Sequence, residues 1–300
     1  MLCIYCLKDF EDLSDEHIFP DSIGGSFVIR NVCKRCNGHL GQTIDPLLTN
    51  HYLVQLDRAT KGIEGKSGKI PNPFYEGTSE GDCATRLILN EDGQYEPHIV
   101  TTVIEDSDQV VQITVDKNDI DKVPDIIKKK FCRKKLTISD SKIQEVIDHA
   151  DSSTSSSVAY IVEFDTENYK KALIKIAYEV GVYWLGDSFI DDPIANEMRT
   201  LLLDPNKGLL QAKIQFQIGL KTEINNTVLS LPKLDEKHCA IIINCDGKIA
   251  IMLKVFDVFQ ATIIISNRAE LYSQVGHGRI ICLNPRTRTY IETSFLEFIK

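Results

Sequence analysis

The chain has 300 residues, 43% of them hydrophobic and 26% charged, with a formal net charge of −9. That length buries a sizeable core and serves one large domain or two to three small ones, and that balance excludes global disorder. The acidic total by itself disfavours a nucleic-acid partner, but phosphates respond to local charge, so basic patches are weighed separately.

Two Cys-x-x-Cys pairs lie near the start, Cys3 and Cys6 in CIYC and Cys33 and Cys36 in CKRC, with 26 residues between Cys6 and Cys33. A tight turn lets thiolates at this spacing share one tetrahedral ion, so the four predict a structural zinc site. The metal would supply folding energy that so short a segment cannot draw from its own core. Full thiolate ligation leaves no open position for chemistry, so zinc does not account for Glu16, His17 or Asn37. Gly24 and Gly25 read as a tight turn rather than an anion cradle. The other five cysteines, Cys83, Cys132, Cys239, Cys245 and Cys282, read as buried reduced thiols. Charged residues appear by position 8 and no apolar run reaches bilayer length, so the expectation is a soluble cytoplasmic protein with no membrane contact.

Further along, Ile44, Leu47, Leu48 and Leu56 predict a helix from Thr43 to Ala59, closing a first domain at residues 1–60. KGIEGKSGKIPNPFYEGTSEGD reads as a linker or long loop. TRLIL, HIVTTVI and VVQITV, between Thr85 and Val115, predict a small antiparallel sheet. KNDIDKVPDIIKKKF predicts a helix with Pro124 in an early turn or at a break, and DSSTSSS (Asp151 to Ser157) marks a flexible junction. VAYIVEF reads as a strand. The clearest helix is Thr166 to Gly186, with Thr166 as N-cap and Leu173, Ile176, Ala177, Val180 and Trp184 as its apolar stripe. A shorter helix at PIANEMRTLLL follows, then strands from Cys239 to Ile265 and from Arg279 to Glu292. The expected class is α+β: a zinc-braced segment at 1–60, then a larger domain at 61–300 with mainly antiparallel sheet, one long core helix and a sub-boundary near 151–157.

Two basic stretches stand out against the acidic total. Lys128, Lys129, Lys130, Arg133, Lys134 and Lys135 give six cations in eight residues and are a candidate phosphate contact, though such a run is more often a solvated helix face. LNPRTRTY reads as a hairpin turn with exposed arginines that could also meet phosphates.

The series CIYC, DEHIFPDSIGG and NVCKRCN resembles the HNH endonuclease superfamily, in the branch whose zinc knuckles brace a ββα-metal finger. In that family an acidic-His dipeptide ends the first strand, a glycine-containing loop leads across, and a short helix carries the last His or Asn. The resemblance covers about the first 45 residues and implies that the zinc-braced segment is such a finger. It implies His17 as general base, Glu16 and Asn37 as ligands of a catalytic Mg2+ or Mn2+, and Asn31 as the residue that orients His17 through its backbone. Asp15 is the alternative to Glu16, and His39 the rival of Asn37. The chemistry suits phosphodiester hydrolysis: imidazole titrates near neutral pH, a divalent cation absorbs charge on the phosphate, and magnesium keeps most of its waters. The resemblance further implies a nucleic-acid partner, DNA more often than RNA, and products with 5′-phosphate and 3′-hydroxyl ends. A homodimer would let one site per chain cut both strands. Residues 61–300 would choose the target or control activity through a ligand or protein partner, in restriction or phage defence. The rival reading is a non-catalytic zinc-knuckle adaptor for nucleic acid or protein.

Overall fold

The computed structural model describes residues 1–65, 67–74, 77–79, 83–90, 94–106, 109–133, 135–153, 157–160, 162, 165–204, 206–223 and 226–300. They form two compact units, one of Met1–Pro71 with Glu163–Lys300, the other of Asn72–Val162.

The first unit begins with an antiparallel pair, β1 (Ser14–His17) and β2 (Val28–Val32), bulged between Ser14 and Glu16. Helix α1 (Lys34–Thr43) starts directly after Cys33. Where the sequence predicts one helix over 43–59, there are two more short ones, α2 (Asp45–Thr49) and α3 (Tyr52–Lys61). Pro46 explains the first break: having no N–H, it fits the first turn of a new helix but not the interior of an old one. His51 explains the second, since its Nδ1 accepts the Leu53 N–H at 3.3 Å and caps α3.

The second unit holds the small antiparallel sheet that the sequence predicts. Strands β3 (Gly77–Ser79), β4 (Ala84–Leu89) and β5 (Tyr95–Ile99) pair in sequence, and β6 (Thr102–Asp106) with β7 (Gln109–Thr114) makes a separate hairpin. Helix α4 (Val123–Arg133) carries Pro124 in its first turn, as expected. Helix α5 (Asp140–Asp148), absent from the sequence reading, packs Ile143 with Val123 and Ile127. Of the strand predicted after the serine tract, Val158–Ala159 form β8, which pairs with β3; Ile161, Glu163 and Phe164, like Thr154, Ser155 and Ser156, lie outside the described residues.

The chain then re-enters the first unit with α6 (Tyr169–Leu185), α7 (Asp187–Ile190) and α8 (Pro193–Leu203). Thr166 is not the cap of α6. The N-cap is Asn168, which makes no side-chain cap bond, and Asp165 fixes the turn before it by accepting the N–H groups of Glu167 and Asn168 at 3.0 and 2.8 Å. The stripe Leu173, Ile176, Ala177, Val180 and Trp184 is buried as predicted, but so is most of the circumference, which marks a helix enclosed by core. Six strands finish the unit: β9 (Phe216–Leu220), β10 (His238–Cys245), β11 (Lys248–Val255), β12 (Phe259–Ser266), β13 (Arg279–Asn284) and β14 (Thr289–Ser294), ordered β14-β13-β10-β11-β12-β9 with every pairing antiparallel. A short helix, α9 (Phe295–Ile299), follows.

The contacts therefore divide the chain differently from the expected boundary at residue 60. Residues of the zinc segment share one hydrophobic core with α6 and the six-stranded sheet. The Tyr5 hydroxyl donates to Glu179 Oε1 at 2.8 Å, and the Tyr178 hydroxyl to the Ile4 carbonyl at 2.5 Å. Of the scattered cysteines, Cys239 and Cys282 are buried, but Cys132 and Cys245 are exposed, against expectation. Among the described residues no helix is long and apolar enough to cross a membrane.

Candidate metal centre and active face

Cys3 and Cys6 lie at a reverse turn, closed by the Leu7 N–H on the Cys3 carbonyl at 2.9 Å, with Leu7 itself left-handed at φ 54°. Cys33 is the N-cap of α1 and Cys36 sits in its first turn. The β1–β2 pair brings the two turns together, so all four sulfurs lie within 4.8 Å of one another. Cys6 Sγ and Cys33 Sγ are 3.9 Å apart, against about 3.8 Å for neighbouring sulfurs of a tetrahedron with Zn–S bonds near 2.3 Å. Burial, then hydrogen bonding to Cys33, raises the Cys36 thiol, and a bound cation would favour its thiolate. The donor set fits structural zinc. Residues 3–53 match the HNH endonuclease family. No curated protein and no solved structure matches the chain.

Within the HNH segment, strand alternation splits the acidic-His dipeptide. Asp15 is exposed, Glu16 is buried at 4% exposure, and His17 is intermediate. His17 is close enough to Asp15 for its charge to help lower that carboxyl, after the larger effect of a hydrogen bond from Arg30. Asn37, on α1, reaches back to β1 and donates through Nδ2 to the Asp15 carbonyl at 2.7 Å and to Ser14 Oγ at 3.1 Å. Its Oδ1 has no partner among the described residues. Alternation along β1 puts Asp15 and His17 on one face and Ser14 and Glu16 on the other, while Asn37 is tied to the β1 backbone at Asp15 and to the Ser14 side chain.

Glu16 lies on the other side. Its Oε1 is 2.5 Å from Nζ of Lys175, a fully buried residue of α6, and the same ammonium lies 3.0 Å from Asp45 Oδ1 and 3.7 Å from Glu179 Oε2. Lys175 also reaches the His17 carbonyl at 3.5 Å. Burial raises the Glu16 carboxyl despite the opposing pull of Lys175. A catalytic cation at Glu16 would share that carboxylate with the ammonium.

Other expected site residues are dispersed. Asn31 sits in β2 with its Oδ1 buried and unsatisfied, and no described hydrogen bond joins it to His17. His39 Nε2 turns along α1 to Thr43 Oγ1 at 3.5 Å. The basic run falls in the second unit: Lys128, Lys129, Lys130 and Arg133 end α4, Lys128 pairs with Asp140 at 2.7 Å, Lys135 follows the helix, and Lys134 lies outside the described residues.

Two residues escaped the sequence reading. Lys175 is not part of the apolar stripe that predicts α6. His238 had no ligand-like partner at short spacing, yet its Nε2 donates to the Ile23 carbonyl at 2.9 Å while its Nδ1 accepts the Phe256 N–H at 3.1 Å. It also stacks on Phe19, and so ties the loop after His17 to β10. Gly24, in that loop at φ 86°, has Pro285 against the position a Cβ would take, which supports the tight-turn reading of the glycine pair.

Proposed function

We propose that the chain is a metal-dependent endonuclease that hydrolyses phosphodiester bonds of DNA, in the setting of restriction or phage defence. The observation that carries it is the anchoring of Asn37 to the Asp15 carbonyl beside His17, within a segment matching the HNH endonuclease family. His17 takes the proton of the attacking water as general base. Asn37 Oδ1 and the Asp15 carboxylate would hold a magnesium or manganese ion, which supplies charge neutralisation at the scissile phosphate. Asp15 is preferred over Glu16 because its side chain is exposed, whereas Glu16 is buried against Lys175. Zinc on Cys3, Cys6, Cys33 and Cys36 pins the start of α1, and with it Asn37.

One specific observation favours the adaptor reading: the carboxylate implied as metal ligand already has a cation, Lys175. Plasmid and single-stranded RNA incubated with the zinc-loaded protein, with and without magnesium, separate the two. The nuclease reading expects magnesium-dependent nicking of plasmid that falls about 100- to 10,000-fold in His17→Ala. Binding without cleavage, or nicking unchanged in His17→Ala, establishes the adaptor reading instead.

A further inference from the structure

Arg58 is an unmatched charge in the first unit. It lies on the inner face of α3, 7% exposed, and its Nε is buried without a partner. Among the described residues its guanidinium makes no hydrogen bond and no ion pair. Burial and the like charge of Arg288 both oppose its ionisation, yet an arginine does not give up its proton. A largely buried guanidinium is unfavourable without a counter-ion, so an anion that reached it would be stabilised.

Beside it is a cavity of about 390 Å³ between the Lys61–Gly65 segment and the Pro285–Arg288 turn that joins β13 to β14. Arg58 stands directly behind Gly65 in the cavity wall: a Cβ on Gly65 would meet Arg58 Nη2 at 2.9 Å. Lys61 is bonded to Asp57, and Arg288 to the Asp21 carboxylate and, at 3.5 Å, to the Glu64 carbonyl. Arg286 has only a 3.8 Å approach to Glu236, while its backbone is fixed by Asn284 Oδ1 at 3.0 Å. Glu64 contributes a carboxylate to the wall beside Lys61, Arg286 and Arg288.

We propose that this cavity binds a phosphate group, with Arg58 as its buried anchor and Arg286 and Arg288 at its rim. Guanidinium forks match phosphate oxygens in pairs, which a lysine cannot do. A nucleic-acid backbone is one source of such a phosphate, since Arg288 also holds Asp21, four residues beyond His17. That occupant rests on the nuclease reading; the phosphate site itself does not.

The test uses the full zinc-loaded chain without magnesium, melted in chloride, in inorganic phosphate at equal ionic strength, and with a mononucleotide or a short DNA duplex. Phosphate raises the melting temperature of the parent protein above that in chloride. Arg58→Met melts higher than the parent in chloride, because the unmatched charge is gone, and loses the response to phosphate. Arg286→Gln, at an exposed position, melts like the parent in chloride and binds phosphate several-fold more weakly. Displacement of phosphate by duplex supports the substrate backbone as source, and displacement by mononucleotide alone supports a free nucleotide. Equal melting in phosphate and chloride, a lower melting temperature for Arg58→Met in chloride, or an undiminished phosphate response in either variant overturns the proposal. None of these readouts depends on cleavage.

Discussion

Lys175 Nζ and Glu16 Oε1 meet at 2.5 Å across 159 residues of sequence, with both side chains buried. The pair turns the acidic residue of β1 inward and leaves Asp15 and His17 facing out. Removing Lys175 leaves Glu16, Asp45 and Glu179 around one site without their shared cation. Lys175→Met is expected to cost about 3–5 kcal/mol, read as a lower urea midpoint. Adding Glu16→Gln to that variant should restore part of the loss, and an additive double variant would show that the two do not act together.

The two carboxylates of the hairpin should separate in function. Asp15→Asn is expected to abolish magnesium-dependent nicking with little change in melting temperature, since its side chain is exposed and its partner is Arg30 on the neighbouring strand. Glu16→Gln should chiefly alter stability. Plasmid nicking paired with thermal melts checks both, and the opposite pattern would return Glu16 to the metal.

Metal analysis should find one zinc per chain. Cys33→Ser or strong chelation is expected to release it and to speed hydrogen exchange first in residues 3–36, with β10 to β13 still protected. Zinc sites of this type contribute on the order of 10 kcal/mol to folding in isolated fingers, so the loss should be severe.

Acid stability should carry the signature of His238. Burial pushes this imidazole down to about 4, so it stays neutral in the folded chain while the unfolded chain accepts a proton near 6.5. The stabilising contribution is complete above about pH 6.5 and is lost as pH falls towards 4, by at most about 3 kcal/mol. His238→Gln keeps a donor for Ile23 and an acceptor for Phe256 but does not titrate. Its unfolding free energy should depend less on pH across that window than the parent's, and an equal slope would refute the assignment.

How much of this was legible in the sequence follows from contact range. Cys3, Cys6, Cys33 and Cys36 declared themselves because metal ligands keep short, fixed spacings. The α6 stripe did so because burial follows helical periodicity. The engagement of Glu16 was invisible, since nothing near it in sequence names Lys175 as its partner. The same holds for His238, whose two bonds run to a loop over 200 residues away and to the next strand. The break after α1 was readable from Pro46 alone, but the apolar spacing on either side happened to continue across it.

The discontinuity of the first unit has a consequence for biosynthesis. Glu16 leaves the ribosome long before Lys175, and at about 5–20 residues per second the gap lasts roughly ten to thirty seconds. Until α6 emerges, the nascent HNH segment has a carboxylate without its counter-ion and an apolar face without its cover. Maturation of the hairpin must wait for a helix encoded after the whole of the inserted unit, so a message truncated before that helix would yield a polypeptide unable to complete the fold.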